Sequence, residues 1–301
     1  MASSIPASGP AEVSAAPAVE ARGGAGARRT RRLVLAGGLF VLALIVVAAA
    51  APWIAPQDPT RQSLRARLKP PTLEAVDGKA HLLGTDHLGR DVLSRMLWGA
   101  RVSLLVGFAA VGVGGLVGAL LGIVAGYRGG WADTVIMTVA DAQLAFPFIL
   151  LAIGIIAVLG PSFPTLVVVI GLSGWMSYAR VLRSQVLVLR SREFVDAIHA
   201  LGGSIPRVIA RHIVPNILSS LVVIGTLELA RSVVLEATLS FLGIGLREPV
   251  VSWGVLISDS RNYIQSAPHL LFFPAGFLVL TVLAFVMLGD AVRDALDPKQ
   301  K

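Results

Sequence analysis

Six long apolar runs, separated by polar and turn-rich stretches, set the pattern of this chain. Residues 33–51 are 19 uncharged positions, about long enough to cross a ~30 Å hydrocarbon core at ~1.5 Å per residue. Further runs cover 102–126, about 132–159, 165–181, about 217–239 and 270–288. Each predicts a membrane-spanning helix, so the expected fold is all-α and polytopic, with about six transmembrane helices.

Between the runs the chain changes character. Residues 1–27 are Ala, Ser, Pro and Gly with few large apolar side chains, too little to bury, and predict a disordered tail. Arg28, Arg29, Arg31 and Arg32 follow, and basic residues ahead of a first span place the N-terminus in the cytoplasm. A signal peptide cut near Ala49-Ala50-Ala51 is the competing reading, but the run exceeds the ~7–15 residues of a signal core, which favours a retained anchor. Residues 52–101 carry Pro52, Pro56, Pro59, Pro70 and Pro71 and belong outside the membrane on its far side. There Thr85 or Asp86 is placed to cap a turn, and Asp91, Ser94 and Arg95 to begin a helix. Arg180, Arg183, Arg190 and Arg192 crowd the exit of the fourth run and mark a second cytoplasmic face. Residues 241–267 form a second outside segment, with an amphipathic turn around Asp259 and Arg261.

On that cytoplasmic face lies the interval 192–216. Phe194, Val195, Ile198 and Leu201 fall on one face of a short helix, which Gly202-Gly203 ends. Ser204 is placed to cap a second short helix that tolerates Pro206 in its first turn and stops at Pro215. Two amphipathic helices on a glycine elbow make a knob, too polar for lipid and too apolar on one face to stay bare. Such a knob predicts a partner protein with a groove.

Within the spans, Gly114, Gly118, Gly122 and Gly126 recur every fourth residue and give a stripe that lets another helix approach closely, from this chain or a second subunit. Asp141 interrupts the third run, and Glu228, Arg231 and Glu236 the fifth. Glu228 lies near mid-span, where an unpaired charge is expensive, and Arg231 is three residues on. A structural ion pair and a lining of a polar pathway both fit.

Composition agrees: 55% of residues are hydrophobic, 15% are charged, and the mean hydropathy is +0.76. The net charge of +8 comes mostly from arginines flanking spans, and no basic patch interleaved with aromatics points to nucleic acid. Without cysteine there is no disulfide, thiolate nucleophile or thiolate metal site. None of the four lysines fits a phosphate-cradling Gly-x-x-x-x-Gly-Lys-Ser/Thr loop. The five histidines form no His-Glu-x-x-His helix, and Gly171-Leu-Ser-Gly174 lacks the spacing of a nucleophile elbow. The chain reads as a conduit rather than an enzyme, with a membrane-embedded enzyme and a stand-alone carrier as rivals.

The interval 192–216 also resembles the cytoplasmic EAA loop of bacterial ABC-importer permeases. Asp196, Ala197 and Ile198 stand at its leading Glu-Ala-Ala, Gly202 at its glycine and Pro215 at its proline, with Asp for Glu and Ile for Ala as departures. Gly84-Thr-Asp86, Gly89-Arg-Asp91, Ser94-Arg95 and Gly99-Ala-Arg101 are similar to the dipeptide, oligopeptide and nickel branch. So are Glu236-Ala-Thr-Leu-Ser-Phe-Leu-Gly243, Ser252-Trp-Gly254 and Leu288-Gly-Asp-Ala-Val-Arg-Asp-Ala-Leu-Asp-Pro298. The order fits the second, C-type permease of that branch.

The resemblance implies a type I permease fold and half of a translocation pathway for peptides or similar solutes. The expected division is a disordered basic cytoplasmic tail over 1–32, a first transmembrane helix over 33–55 and an extracytoplasmic segment over 56–101. A five-helix core over 102–290 then holds the coupling loop 192–216 and the outer loop 241–267, before a cytoplasmic tail over 291–301. ATPase coupling is expected from Asp196, Ala197, Ile198, Gly202, Arg207, His212 and Pro215, and the pathway or an intramembrane ion pair from Asp141, Glu228, Arg231 and Glu236. Implied partners are a homologous permease in a heterodimer, two cytoplasmic ATPases, an extracytoplasmic solute-binding protein and the bilayer. The chain itself is expected to hold no cofactor or metal, with ATP and magnesium on the ATPases. The resemblance also implies a place in the bacterial inner membrane, with both termini expected in the cytoplasm.

Overall fold

The computed structural model describes residues 24–76 and 79–296. Its helices are α1 (Gly24–Ile54), α2 (Val92–Arg128), α3 (Gly130–Ala145), α4 (Phe148–Leu159), α5 (Phe163–Arg190), α6 (Glu193–Ala200), α7 (Ile205–Val208), α8 (Val214–Phe241), α9 (Trp253–Ser260) and α10 (His269–Leu296). A small antiparallel hairpin, β1 (Thr72–Val76) and β2 (Lys79–His81), sits between α1 and α2. Five helical segments are long and apolar enough to cross a membrane, and α3 with α4 makes a sixth if the bent pair counts as one span.

Several boundaries move from those expected. α1 already begins at Gly24, so part of the expected 1–32 tail is helix, and residues 1–23 lie outside those described. Asp91 begins a helix as expected, its carboxylate accepting the Ser94 N–H at 2.8 Å, but that helix is α2 itself, which runs unbroken into the span expected from residue 102. Its 37 residues run ~55 Å, far more than a bilayer core needs. The third run is not one straight helix: α3 and α4 meet at 94°. Pro147 drives Phe146 into extended backbone, φ −94 and ψ 133, which ends α3. α5 does not stop near Val181 but carries Arg180, Arg183 and Arg190 on its last turns. Their heads are paired, Arg180 with Asp141, Arg183 with Asp133, and Arg190 over the Tyr127 ring at 5.7 Å. α10 continues to Leu296, leaving 297–301 of the expected C-terminal tail outside the described residues.

The glycine stripe fixes the central crossing, within this chain. A Cβ on Gly114, Gly122 or Gly126 would stand 2.6, 2.7 and 2.8 Å from the carbonyls of Gly171, Ala179 and Arg183, and one on Gly118 would overlap that of Trp175. Successive turns of α2 thus lie against successive turns of α5, backbone to backbone. Around this pair α1, α8, α9 and α10 close a core over Met96, Leu104, Val233, Trp253 and Phe285, and α4 covers another with Ile156 against Val106 and Ile170.

The hairpin segment meets the N-terminal end of α2, and the 192–216 knob meets its other end through Tyr127. The early turns of α1 lie beside the late turns of α10, Gly37 facing Met287. Both described chain ends therefore lie toward the knob, opposite the hairpin.

Candidate functional site

At the knob, α6 ends in a left-handed turn that its sequence dictates. Gly202 has φ +80, the Gly203 N–H donates to Ile198 O at 2.8 Å, and the Gly202 N–H donates to His199 O at 2.9 Å. This pair of bonds is a Schellman motif, which satisfies carbonyls the helix end would leave bare. Ile198 folds back over Gly203, where a Cβ would overlap its Cγ2. The bulk that departs from the family pattern is thus absorbed inside the knob. His199 pins the elbow, its Nε2 3.0 Å from Tyr127 Oη on α2 and its Nδ1 3.2 Å from Gly203 O.

The apolar face expected of α6 is split. Val195 turns inward with Val208, Ile213 and Ile217 onto Tyr127, Tyr178, Leu182 and Val186. Phe194, Ile205 and Leu201 turn outward, Leu201 being 89% exposed. Asp196, Ala197, Gly202, Arg207 and Pro215 are exposed, while Ile198 and His212 are half-buried, the His212 ring 5.9 Å from that of Phe194. The seven expected coupling residues therefore share one surface knob. Two local expectations change. Ser204 stands at the start of α7 but its side chain caps nothing. Pro215 does not stop the second helix: residues 209–213 form a π turn in which the Val214 N–H reaches back to Ile209 O, and α8 runs on through the proline. The wider turn makes room for a ring that would clash with the carbonyl four residues back. The knob is thus rooted directly in a span.

The opposite end is tied by buried charge. Asp86 accepts the Leu88 and Arg90 N–H groups at 2.8 and 2.9 Å and the Arg90 guanidinium at 2.6 Å. Arg95, 1% exposed, also pairs with Asp86, and it reaches Glu248 at 3.0 Å and Asp259 at 3.5 Å. Burial pushes the Asp86 carboxyl up, but Arg95 and then Arg90 hold it below the ordinary value. Burial likewise raises Glu248, and its bond from Arg90 and the charges of Arg90 and Arg95 more than reverse this. For Asp259 burial prevails over Arg95, and with Glu248 nearby the carboxyl titrates above its usual range. Sequence reasoning missed that Arg90 and Arg95 lock the two outer segments together, since 153 residues separate Arg95 from Glu248.

Inside the bundle the expected charges divide. Glu228 and Arg231 pair at 3.3 Å, and Asp141 pairs with Arg180. Glu236 joins neither: it is fully buried and accepts the hydroxyls of Ser103 and Ser240, both at 2.9 Å, with no cation in salt-bridge range among the described residues. Ser103 also accepts the Trp253 N–H at 3.2 Å, so Glu236 ties α2 and α8 to the start of α9.

Comparison with known proteins gives these features a context. The family described as "Binding-protein-dependent transport system inner membrane component" matches residues 118–301, and "N-terminal TM domain of oligopeptide transport permease C" matches 29–71. Similar proteins include the glutathione transport system permease protein GsiD of Pectobacterium atrosepticum, 40% identical over 90% of this chain and 88% of the relative. The dipeptide transport system permease protein DppC of Alkalihalophilus pseudofirmus is 41% identical over 91% and 88%. Among solved structures, an inward-facing form of the MetNI methionine ABC transporter shares the fold, with TM-score 0.54 at 18% identity over 66% of this chain and 95% of the matched one.

Proposed function

Since the chain belongs to the family of binding-protein-dependent transport inner-membrane components, the membrane subunits of ABC importers, we propose that its 192–216 knob receives the ATPase stroke and that it imports peptides or similar small solutes. It is a multi-span permease, and ATP hydrolysis belongs to a separate subunit. The observation that carries the coupling role is the uncovered apolar cap of Phe194, Leu201 and Ile205 on a knob continuous with α8. A groove that covers these side chains gains ~1.5–3 kcal/mol for each large one fully buried. Any tilt of the knob passes into α8 as a rigid lever.

The relatives named for glutathione and dipeptide transport support a small peptide-like solute. In the full assembly this chain pairs with a homologous permease, two ATPases dock on the knob side, and a solute-binding protein docks on the face formed by residues 55–91 and 242–268. The knob side, with both chain ends, is then cytoplasmic, and ATP with its magnesium stays on the ATPases. Reconstitution tests the reading: the complete assembly in liposomes should accumulate solute only with ATP and the binding protein. Uptake by this chain alone, without ATPase subunits, would overturn it.

A further inference from the structure

Besides the buried Glu236, two ion pairs interrupt the long apolar helices, and three of their four side chains stand open. Asp141 on α3 and Arg180 on α5 are 69% and 44% exposed, and Arg231 on α8 is 43% exposed against 12% for its partner Glu228. α5 joins the two pairs. Arg231 Nη1 reaches Ser173 O at 3.5 Å, and a Cβ on Gly174 would stand 2.9 Å from Glu228 Oε2, so the glycine leaves the space in which that carboxylate lies. Gln143 donates to Leu172 O and accepts from the Trp175 indole, both at 2.8 Å. Arg180 follows Ser173 by two helical turns, about 10 Å along the same face. Gln143 lies in the last turn of α3, next to the 94° break.

A charge facing lipid within a span is costly, and irregular backbone there persists only where protein or a watery cavity covers it. Discontinuous spans beside polar groups are how membrane proteins commonly build solute sites. A dry contact with a second subunit would have to desolvate two ion pairs at once, a penalty that often exceeds their Coulombic gain. Water and a solute of both charge signs satisfy the same groups without it. We propose that the strip of Asp141, Gln143, Arg180, Glu228 and Arg231 is a solute subsite in the path wall, running from the middle of α5 toward the knob side and taking a small ligand that carries both a cationic and an anionic group. This rests on the permease reading above.

The chain has no cysteine, so an introduced thiol is the only one in this subunit. Leu227 lies one turn before Arg231 on the exposed stripe of α8, Leu172 is exposed on α5, and Leu283, exposed on α10 away from the strip, serves as the control. In the full assembly in nanodiscs, Leu227→Cys and Leu172→Cys should react with a charged methanethiosulfonate several-fold faster than Leu283→Cys. ATP and vanadate trapping should change those two rates several-fold. At Leu227→Cys, adding Arg231→Gln should raise the ratio of cationic to anionic reagent reactivity several-fold, and adding Glu228→Gln should lower it. Reactivity no higher than at Leu283→Cys in every state, or a ratio indifferent to both charges, would overturn the subsite. ATP-driven uptake with unreactive thiols removes the subsite alone, whereas an unsubstituted assembly that takes up nothing on ATP removes the permease reading itself.

Discussion

Ile198 lies folded over Gly203, whose missing side chain is the space the isoleucine occupies. A methyl at residue 203 must displace Ile198 or open the elbow, and overpacking of this kind costs ~1–3 kcal/mol. Gly203→Ala should therefore weaken solute-stimulated ATP hydrolysis, and Gly203→Ala combined with Ile198→Ala should recover part of it, since a Cβ there also stands 2.8 Å from Ile198 O. Absence of any recovery in the double variant would show that the Ile198 side chain is not what the glycine accommodates.

Gly202 poses a different requirement. Nothing stands within 4 Å of a Cβ there, so space is free, but φ +80 is hostile to a branched side chain. Gly202→Val should uncouple ATP hydrolysis from uptake while the protein still inserts, and Gly202→Asn, which tolerates the left-handed region, should retain most coupling. Equal uptake by the valine and asparagine variants would contradict this.

Two glycines on α2 should respond in opposite directions. Gly118 has no room for a Cβ beneath Trp175 O, whereas Gly112 has nothing within 4 Å. Gly118→Ala should lower the melting temperature of the detergent-purified assembly by forcing α2 and α5 apart. Gly112→Ala should leave it unchanged or raise it, since alanine in a helix interior is favoured by ~0.5–1 kcal/mol over glycine. The paired melting curves read both.

Acidification should spare the outer ties until well below neutrality. Asp86 and Glu248 titrate below their ordinary values in the fold, so their contribution is complete above the unfolded pKa and is lost as pH falls through the folded one. Asp259 is shifted upward, so it takes its proton first, and that step favours the folded state as pH falls. Amide exchange over residues 84–95 should thus be protected between about pH 7 and 5 and accelerate only below about pH 4, the unperturbed carboxylate range. Release already near neutrality would contradict the assignment.

Arg95→Met removes the more deeply buried of the two cations that join Asp86 to Glu248 and Asp259, and leaves Arg90 in place. Breaking a buried pair on one side commonly costs ~3–5 kcal/mol. The expected result is a lower melting temperature together with faster exchange in 242–268 as well as in 84–95. Faster exchange confined to one segment would show that Arg95 does not bridge the two.

The sequence by itself determined the spans, the knob and its glycine elbow, because these rest on local causes: uncharged length, helical spacing, and the backbone angle only glycine adopts easily. It also marked Glu228 and Arg231 as partners, three residues apart on one helix. Where it erred, a local rule was overridden by a neighbour it could not see. Arg180 and Arg183 do not end a helix once Asp141 and Asp133 meet them, and Pro215 does not end one once a π turn receives its ring. Only the tertiary structure decided that the glycine stripe faces α5 of this same chain and that Glu236 is held by hydroxyls rather than by Arg231. The same holds for the seat that Arg95 shares with residues far along the chain. Those outcomes depend on which helices lie side by side, and an apolar helix has many energetically similar neighbours until close backbone approach and paired charge select one.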